Sequence, residues 1–298
     1  MSHLLAGVLG AAVGDALGVP WERRKRDTFL AEDMLVFGGQ PLPVGTWSDD
    51  TSMTLAEVAS LGERGCYDEE DIMRRFCDWL YRGEYTPHGK TFGIGRTTSL
   101  AISRFRDGTC TDLCGGCELL DNGNGALMRM LPFALLNDPN RDAIADRAGC
   151  LTHSHAISRN CCRLYVRIVD GLLDGRTPEE SVARALTPLP DGIADCIAGR
   201  LLSLGVTERA DIKSSGYVLD TLTASLWCLI HTDSYADAVL AAVNLGGDTD
   251  TTGSVTGGLA GIYYGLNGET GIPAAWSHAL VRYDWIESLC AKADALMR

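Results

Sequence analysis

Sustained alternation of polar and apolar residues is missing from this 298-residue chain, so strands are expected to be few or absent. No apolar run reads as long enough to span a bilayer. Positive charge is scarce: a formal net charge of −13 disfavours non-specific binding to nucleic acid or to an anionic membrane surface. There is no linker rich in proline, glycine or serine, no low-complexity tract and no internal repeat, which leaves one domain over residues 1–298 as the simplest organisation. The apolar stretch Met1 to Val19 lacks a basic n-region and is interrupted by Asp15, so it reads as a first core helix rather than a signal peptide. The cysteines number eleven, an odd count with no export signal, which favours reduced, mostly buried thiols and a cytoplasmic location.

What is present is helical periodicity. With 46% apolar and 22% charged residues, the chain has the balance of a soluble globular protein with a large core. Apolar residues recur three or four apart over Leu4–Leu17, Ser52–Leu61, Glu69–Leu80, Ala126–Leu136, Arg141–Leu151, Ser158–Leu173, Pro178–Leu186, Leu219–Ile230, Tyr235–Val243 and Ser277–Leu296. Thr177-Pro178-Glu179-Glu180 and Asp68-Glu69-Glu70-Asp71 each place a capping side chain ahead of acids in a first turn. The segment after Asp248 is rich in Gly, Ser, Thr and Ala. Each interior glycine weakens a helix by about 1 kcal/mol against alanine, so close contact with neighbouring helices must compensate. That places this helix at the centre of an all-α bundle.

Two acidic clusters lie about two hundred residues apart: Trp47-Ser48-Asp49-Asp50-Thr51 and Gly246-Gly247-Asp248-Thr249-Asp250-Thr251. Each opens a helix. A helix start is where acids two residues apart can converge, because the capping residue has non-helical dihedrals. Asp248 as cap, with Asp250 and Thr251 in the first turn, would direct three oxygens at one point. If the fold joins the clusters, four carboxylates share a small volume, which requires protonation or a bound cation. Oxygen donors of this kind suit Mg²⁺, Mn²⁺ or Ca²⁺ rather than zinc. Capping alone is the competing reading for either cluster taken singly.

Six segments in order resemble the ADP-ribosylglycohydrolase family, whose bacterial prototype is dinitrogenase-reductase-activating glycohydrolase. They are Gly14-Asp15-Ala16-Leu17-Gly18 with Glu22 following, Trp47–Thr51, Phe92-Gly93-Ile94-Gly95-Arg96-Thr97-Thr98, Asn122–Arg129, Thr152-His153-Ser154-His155, and Gly246–Thr251. The resemblance implies an orthogonal all-α fold with two Mg²⁺ or Mn²⁺ ions at the base of a cleft. Their ligands would be Ser48, Asp49, Asp50, Asp248, Asp250 and Thr251, with Glu22 beside them as a ligand or a gate. Residues Asn122, Gly123, Asn124, Gly125, Ala126 and Met128, with His153, would bind ADP-ribose, glycines letting backbone N–H groups approach phosphates closely. This chain departs from the family in carrying Ser48 where threonine is usual and Gly93 where many relatives carry aspartate.

The implied reaction is removal of ADP-ribose from a modified protein side chain by hydrolysis at C1″, releasing ADP-ribose. Such cleavage builds oxocarbenium-like charge and needs an activated water. Asp49, Asp50 and Glu22 are the candidate bases, in no order that sequence can fix. Two other readings remain: a binding or immunity protein that grips ADP-ribose or a transferase without turnover, and a hydrolase of a small ADP-ribose ester or phosphoester.

Other features point elsewhere. Cys110, Cys114 and Cys117 lack a second Cys-x-x-Cys, which favours structural thiols over zinc. Cys161-Cys162 reads as core. Arg23-Arg24-Lys25-Arg26 reads as a solvated loop, with a guiding role for pyrophosphate as the alternative. Asp15 reads as a buried group fixing the end of the first helix, and no Gly-x-Gly-x-x-Gly supports a Rossmann nucleotide site. Tyr263 and Tyr264 read as packing residues.

Overall fold

Two glycine-containing helices lie antiparallel against each other at the centre of the molecule, and the rest of the chain is arranged around them. The computed structural model describes residues 2–34, 42–187 and 195–298; Met1, 35–41 and 188–194 lie outside that description. Fourteen α-helices occur among the described residues: α1 (His3–Gly18), α2 (Asp49–Arg64), α3 (Glu69–Arg82), α4 (Arg96–Arg106), α5 (Leu131–Ala134), α6 (Arg141–Cys150), α7 (Ala156–Leu173), α8 (Pro178–Ala185), α9 (Asp195–Leu202), α10 (Val218–Ile230), α11 (Tyr235–Val243), α12 (Thr249–Tyr264), α13 (Ala274–Ala279) and α14 (Tyr283–Ala293). No strand forms among them, only isolated bridges. The expected all-α class is found.

The small-residue helix is α12, and it packs on α1 with both buried over nearly their whole length. A Cβ placed on Gly14 would lie 2.0 Å from Gly253 O, and one on Gly257 would lie 2.2 Å from Gly10 O. The two backbones therefore touch, which recovers in packing what glycine costs in helix propensity. The same burial explains a correction. By length and composition His3–Trp21 is apolar enough to cross a membrane, although no run was expected to qualify; 83% of that window is buried inside the fold. A helix enclosed on all sides has no polar face to show.

Local signals set the helix starts. Thr177 and Glu180 form a reciprocal capping box on α8, with Glu180 N donating to Thr177 Oγ1 at 3.2 Å and Thr177 N to Glu180 Oε2 at 3.0 Å. Asp68 Oδ1 accepts from Asp71 N at 3.0 Å to open α3. Two expected helices are broken. Over 126–136 the chain forms a 3₁₀ turn, Leu127–Arg129, and then the short α5 with Pro132 in its first turn. Over 277–296 it splits into α13 and α14, because Leu280 is extended and Arg282 adopts φ 63°. The ten cysteines with described side chains are free thiols, with Cys110 and Cys117 exposed and Cys114, Cys161 and Cys162 buried.

Candidate active site

The packing of α1 on α12 brings three elements to one point: the end of α1, the start of α2 and the start of α12. Asp15 on α1 is fully buried, and its carboxylate caps α2 through space. It accepts from Ser48 N at 2.9 Å, from Thr51 N at 3.0 Å and from Thr51 Oγ1 at 2.6 Å. It was expected to fix the end of its own helix; it fixes the start of the next one, because its side chain points across the interface.

That cap holds the first acidic cluster in place. Ser48 is the N-cap of α2, and its Oγ donates to Asp50 Oδ2 at 3.2 Å. From the other cluster, Thr251 Oγ1 donates to the same Asp50 Oδ2 at 3.3 Å, across 201 residues of sequence. The two clusters meet.

Their electrostatics are one-sided. Burial pushes the Asp49 carboxyl up to about 8, and Asp15, Asp248 and Glu22 add to the rise. Asp50 and Asp250 are also held well above the usual carboxylate range, by burial first and then by the surrounding acids. Asp15 rises to about 6 through burial, opposed by its four hydrogen bonds to Ser48 and Thr51. Asp50 Oδ1 is buried and has no partner.

These groups form the floor of a cleft of about 760 Å³. Glu22, Asp49, Asp248, Asp250 and Thr251 reach its surface, whereas Ser48 and Asp50 lie directly beneath. Asp248 occupies the N-cap position of α12 but does not cap it; its Oδ2 accepts from Asn124 Nδ2 at 2.7 Å instead. Glu22 is the most accessible acid, its side chain 35% exposed and paired with Arg23 at 3.1 Å. Gly93 turns against the floor at φ 84°, and a Cβ there would sit 2.3 Å from Asp49 Oδ1. A side chain at that position would displace the carboxylate.

The wall is the loop that follows. Gly123, Asn124, Gly125, Met128 and His153 line the cleft. Asn122 and Ala126 do not. Asn122 Oδ1 accepts from Ser158 N at 3.2 Å and its Nδ2 donates to Leu119 O at 2.9 Å, so the side chain anchors the loop; Ala126 is fully buried behind it. The segment beside that loop escaped sequence reading: Lys213, Ser214, Ser215, Gly216 and Asp220 line the cleft, with Asn124 N donating to Gly216 O at 3.1 Å, and Arg96 at the start of α4, from the Phe92–Thr98 segment, lines it too. A short polar segment between helices carries no periodic signal, and α4 begins at Gly95 without a side-chain cap to announce it.

The basic run has a structural use at its far end. Arg26 donates to Leu245 O at 2.9 Å and to Arg209 O at 2.5 Å, while Gly247 N donates to Arg24 O at 2.7 Å. It thus locks the Gly246-Gly247 turn from which α12 starts. Tyr263 and Tyr264 pack edge to face, as expected.

The residues present suit a hard divalent cation, although as they stand no three His, Cys, Asp or Glu side chains among the described residues are grouped tightly enough to hold one. An orphaned buried carboxylate oxygen and several acids that raise one another are what a missing positive charge would relieve.

The ADP-ribosylglycohydrolase family matches residues 1–298. The chain belongs to that family. It is 32% identical to the ADP-ribosylarginine hydrolase Tri1 of Serratia proteamaculans, over 95% of this chain and 76% of that protein. It is equally 32% identical to the ADP-ribosyl-[dinitrogen reductase] glycohydrolase of Rhodospirillum rubrum, over 91% and 88% of the two chains. A solved structure described as an ADP-ribosylglycohydrolase-related protein complex superposes with a TM-score of 0.82 at 31% identity, covering 99% of this chain and 98% of that one. The cleft is therefore that of a hydrolase family that removes ADP-ribose from modified substrates.

Proposed function

We propose that the cleft hydrolyses the bond between C1″ of ADP-ribose and a protein side chain, with two Mg²⁺ or Mn²⁺ ions held by Ser48, Asp49, Asp50, Asp248, Asp250 and Thr251. The observation that carries this reading is the meeting of the two acidic clusters at Asp50 Oδ2, directly beneath the cleft. When bound, the ions would neutralise the floor and polarise ribose hydroxyls and a water.

The chain's own residues do the rest. Asp49 and Glu22 both reach the cleft, so either can accept a proton from the attacking water, while Asp50 lies beneath and holds the site together. Carboxylates at the floor favour positive charge developing at C1″. Arg96 and Lys213 place positive charge on the wall, where a diphosphate needs it. Gly123 and Gly125 let backbone come close to the ligand. The two relatives at 32% identity named above act, by their names, on ADP-ribosylarginine and on ADP-ribosylated dinitrogen reductase, so arginine is the acceptor to test first.

The test is release of free ADP-ribose from a protein mono-ADP-ribosylated on arginine, followed chromatographically with Mg²⁺ or Mn²⁺ and with EDTA. Release that needs the cation supports the reading. Tight ADP-ribose binding without release would make the protein a binder instead.

A further inference from the structure

Behind the loop wall lies a second buried ionic group that the reaction as described does not use. Glu57 on α2 and Arg129 are both fully buried and ion-paired. Arg129 spends its remaining donors on the wall. Its Nε donates to Gly125 O at 3.1 Å, and its Nη2 donates to Ala148 O at 3.0 Å and to Thr152 Oγ1 at 2.8 Å. Thr152 Oγ1 in turn lies 2.9 Å from His153 Nδ1.

The protons along this chain can be counted. A guanidinium cannot accept, so Thr152 Oγ1 must accept from Arg129. Its own hydrogen then needs an acceptor, and His153 Nδ1 is the one within reach. Were Nδ1 protonated instead, a buried hydroxyl hydrogen would be left without a partner, which costs about 1–3 kcal/mol. Nδ1 is therefore the acceptor, and the ring proton sits on Nε2. His153 Nε2 lies 3.4 Å from where a Cβ would sit on Gly123 and 3.5 Å from the same point on Gly125, facing the cleft. Among the described residues it has no hydrogen-bond partner of its own.

We propose that the Glu57–Arg129 pair is a positioning unit that, through Thr152, fixes His153 as the Nε2–H tautomer and aims one neutral donor at an acceptor oxygen of the bound ligand. The same pair holds Gly125 O, so the donor and the glycine loop are set by one anchor. Burial, with Arg129 nearby, pushes the His153 pKa down to about 3, so the ring stays neutral at physiological pH. The ligand's identity as ADP-ribose rests on the proposed function; the tautomer does not.

The experiment uses the full chain labelled with ¹⁵N-histidine, with the His153 signals assigned by their loss in His153→Asn. In the ligand-free wild type, Nδ1 should give a pyridine-like shift and Nε2 a pyrrole-like one. Thr152→Val removes the hydroxyl with little change of shape; it should redistribute the proton and weaken ADP-ribose binding about fivefold, the scale of one net hydrogen bond. Thr152→Ser should restore both readouts. A wild-type proton on Nδ1 overturns the proposal. So does a Thr152→Val protein that loses affinity with the tautomer unchanged, or changes tautomer with affinity intact. Failure of the wild type to bind ADP-ribose would instead remove the functional reading, and the tautomer measured without ligand would still stand or fall alone.

Discussion

At its first turn α2 presents Asp49 and Asp50 to other carboxylates, and roughly two turns further on it presents Glu57 to Arg129. Both clusters are buried and both are ionic. In the first, the neighbouring charges that act on Asp50 are acids, and Asp50 Oδ1 has no partner. In the second, a guanidinium balances the carboxylate and braces three further oxygens, although Glu57 Oε2 is left without a partner. Burying an uncompensated charge is expensive, so such a cluster must be protonated or be completed by a charge from outside the chain. The second cluster has its counter-charge within the chain. The imbalance marks where a ligand charge belongs; the balance marks where geometry is held.

The sharpest way to break this comparison is to remove acids from the floor. Asp49→Ala or Asp250→Ala should lower ADP-ribose release by about a thousandfold or more, a loss of several kcal/mol of charge stabilisation. Yet neither should unfold the protein, and without cation the thermal midpoint should hold or rise, because a repulsion has gone. Removing one side of the second cluster should do the reverse. Glu57→Ala or Arg129→Ala should cost about 3–5 kcal/mol of stability in urea unfolding, and replacing both with apolar residues of similar volume should cost less than either single change.

The two clusters share a pH dependence, since burial also raises Glu57 to about 8 against the opposing pull of Arg129, and it is the response to cation that separates them. Asp49 is raised to about 8 and Asp15 to about 6, against about 4 in an unfolded chain. The folded state therefore binds these protons more tightly. Their contribution is full below about pH 4 and is lost as pH rises through 6 and then 8. Thermal midpoints of the cation-free protein should fall across pH 5 to 8, and saturating Mn²⁺ should reduce that slope, leaving the part that Glu57 contributes. A slope unaffected by Mn²⁺ would detach the acids from cation binding. The smallest effect is expected at Ser48→Thr, which keeps the capping hydroxyl and should change turnover by less than about fivefold, measured as kcat.

Much of the floor was legible in the sequence, because paired acids at helix starts are a local pattern with a non-local consequence. The central place of α12 was legible for a similar reason: glycines that weaken a helix must be repaid by contact, and Gly253 and Gly257 are in contact with α1. The Glu57–Arg129 pair was not legible, since a glutamate within an amphipathic helix looks like a solvated one until its partner arrives from 72 residues away. The turn of Asp15 toward α2 was hidden for the same reason. The break at Arg282 rests on a left-handed backbone at a residue other than glycine, which no composition rule anticipates.

The central claim is that the meeting acids hold divalent cations, and calorimetric titration of chelator-treated protein with Mn²⁺ tests it most directly. Two ions should bind to the wild type, and binding should be lost or reduced to one ion in Asp49→Ala and Asp250→Ala. No binding by the wild type, or undiminished binding by both variants, would contradict it.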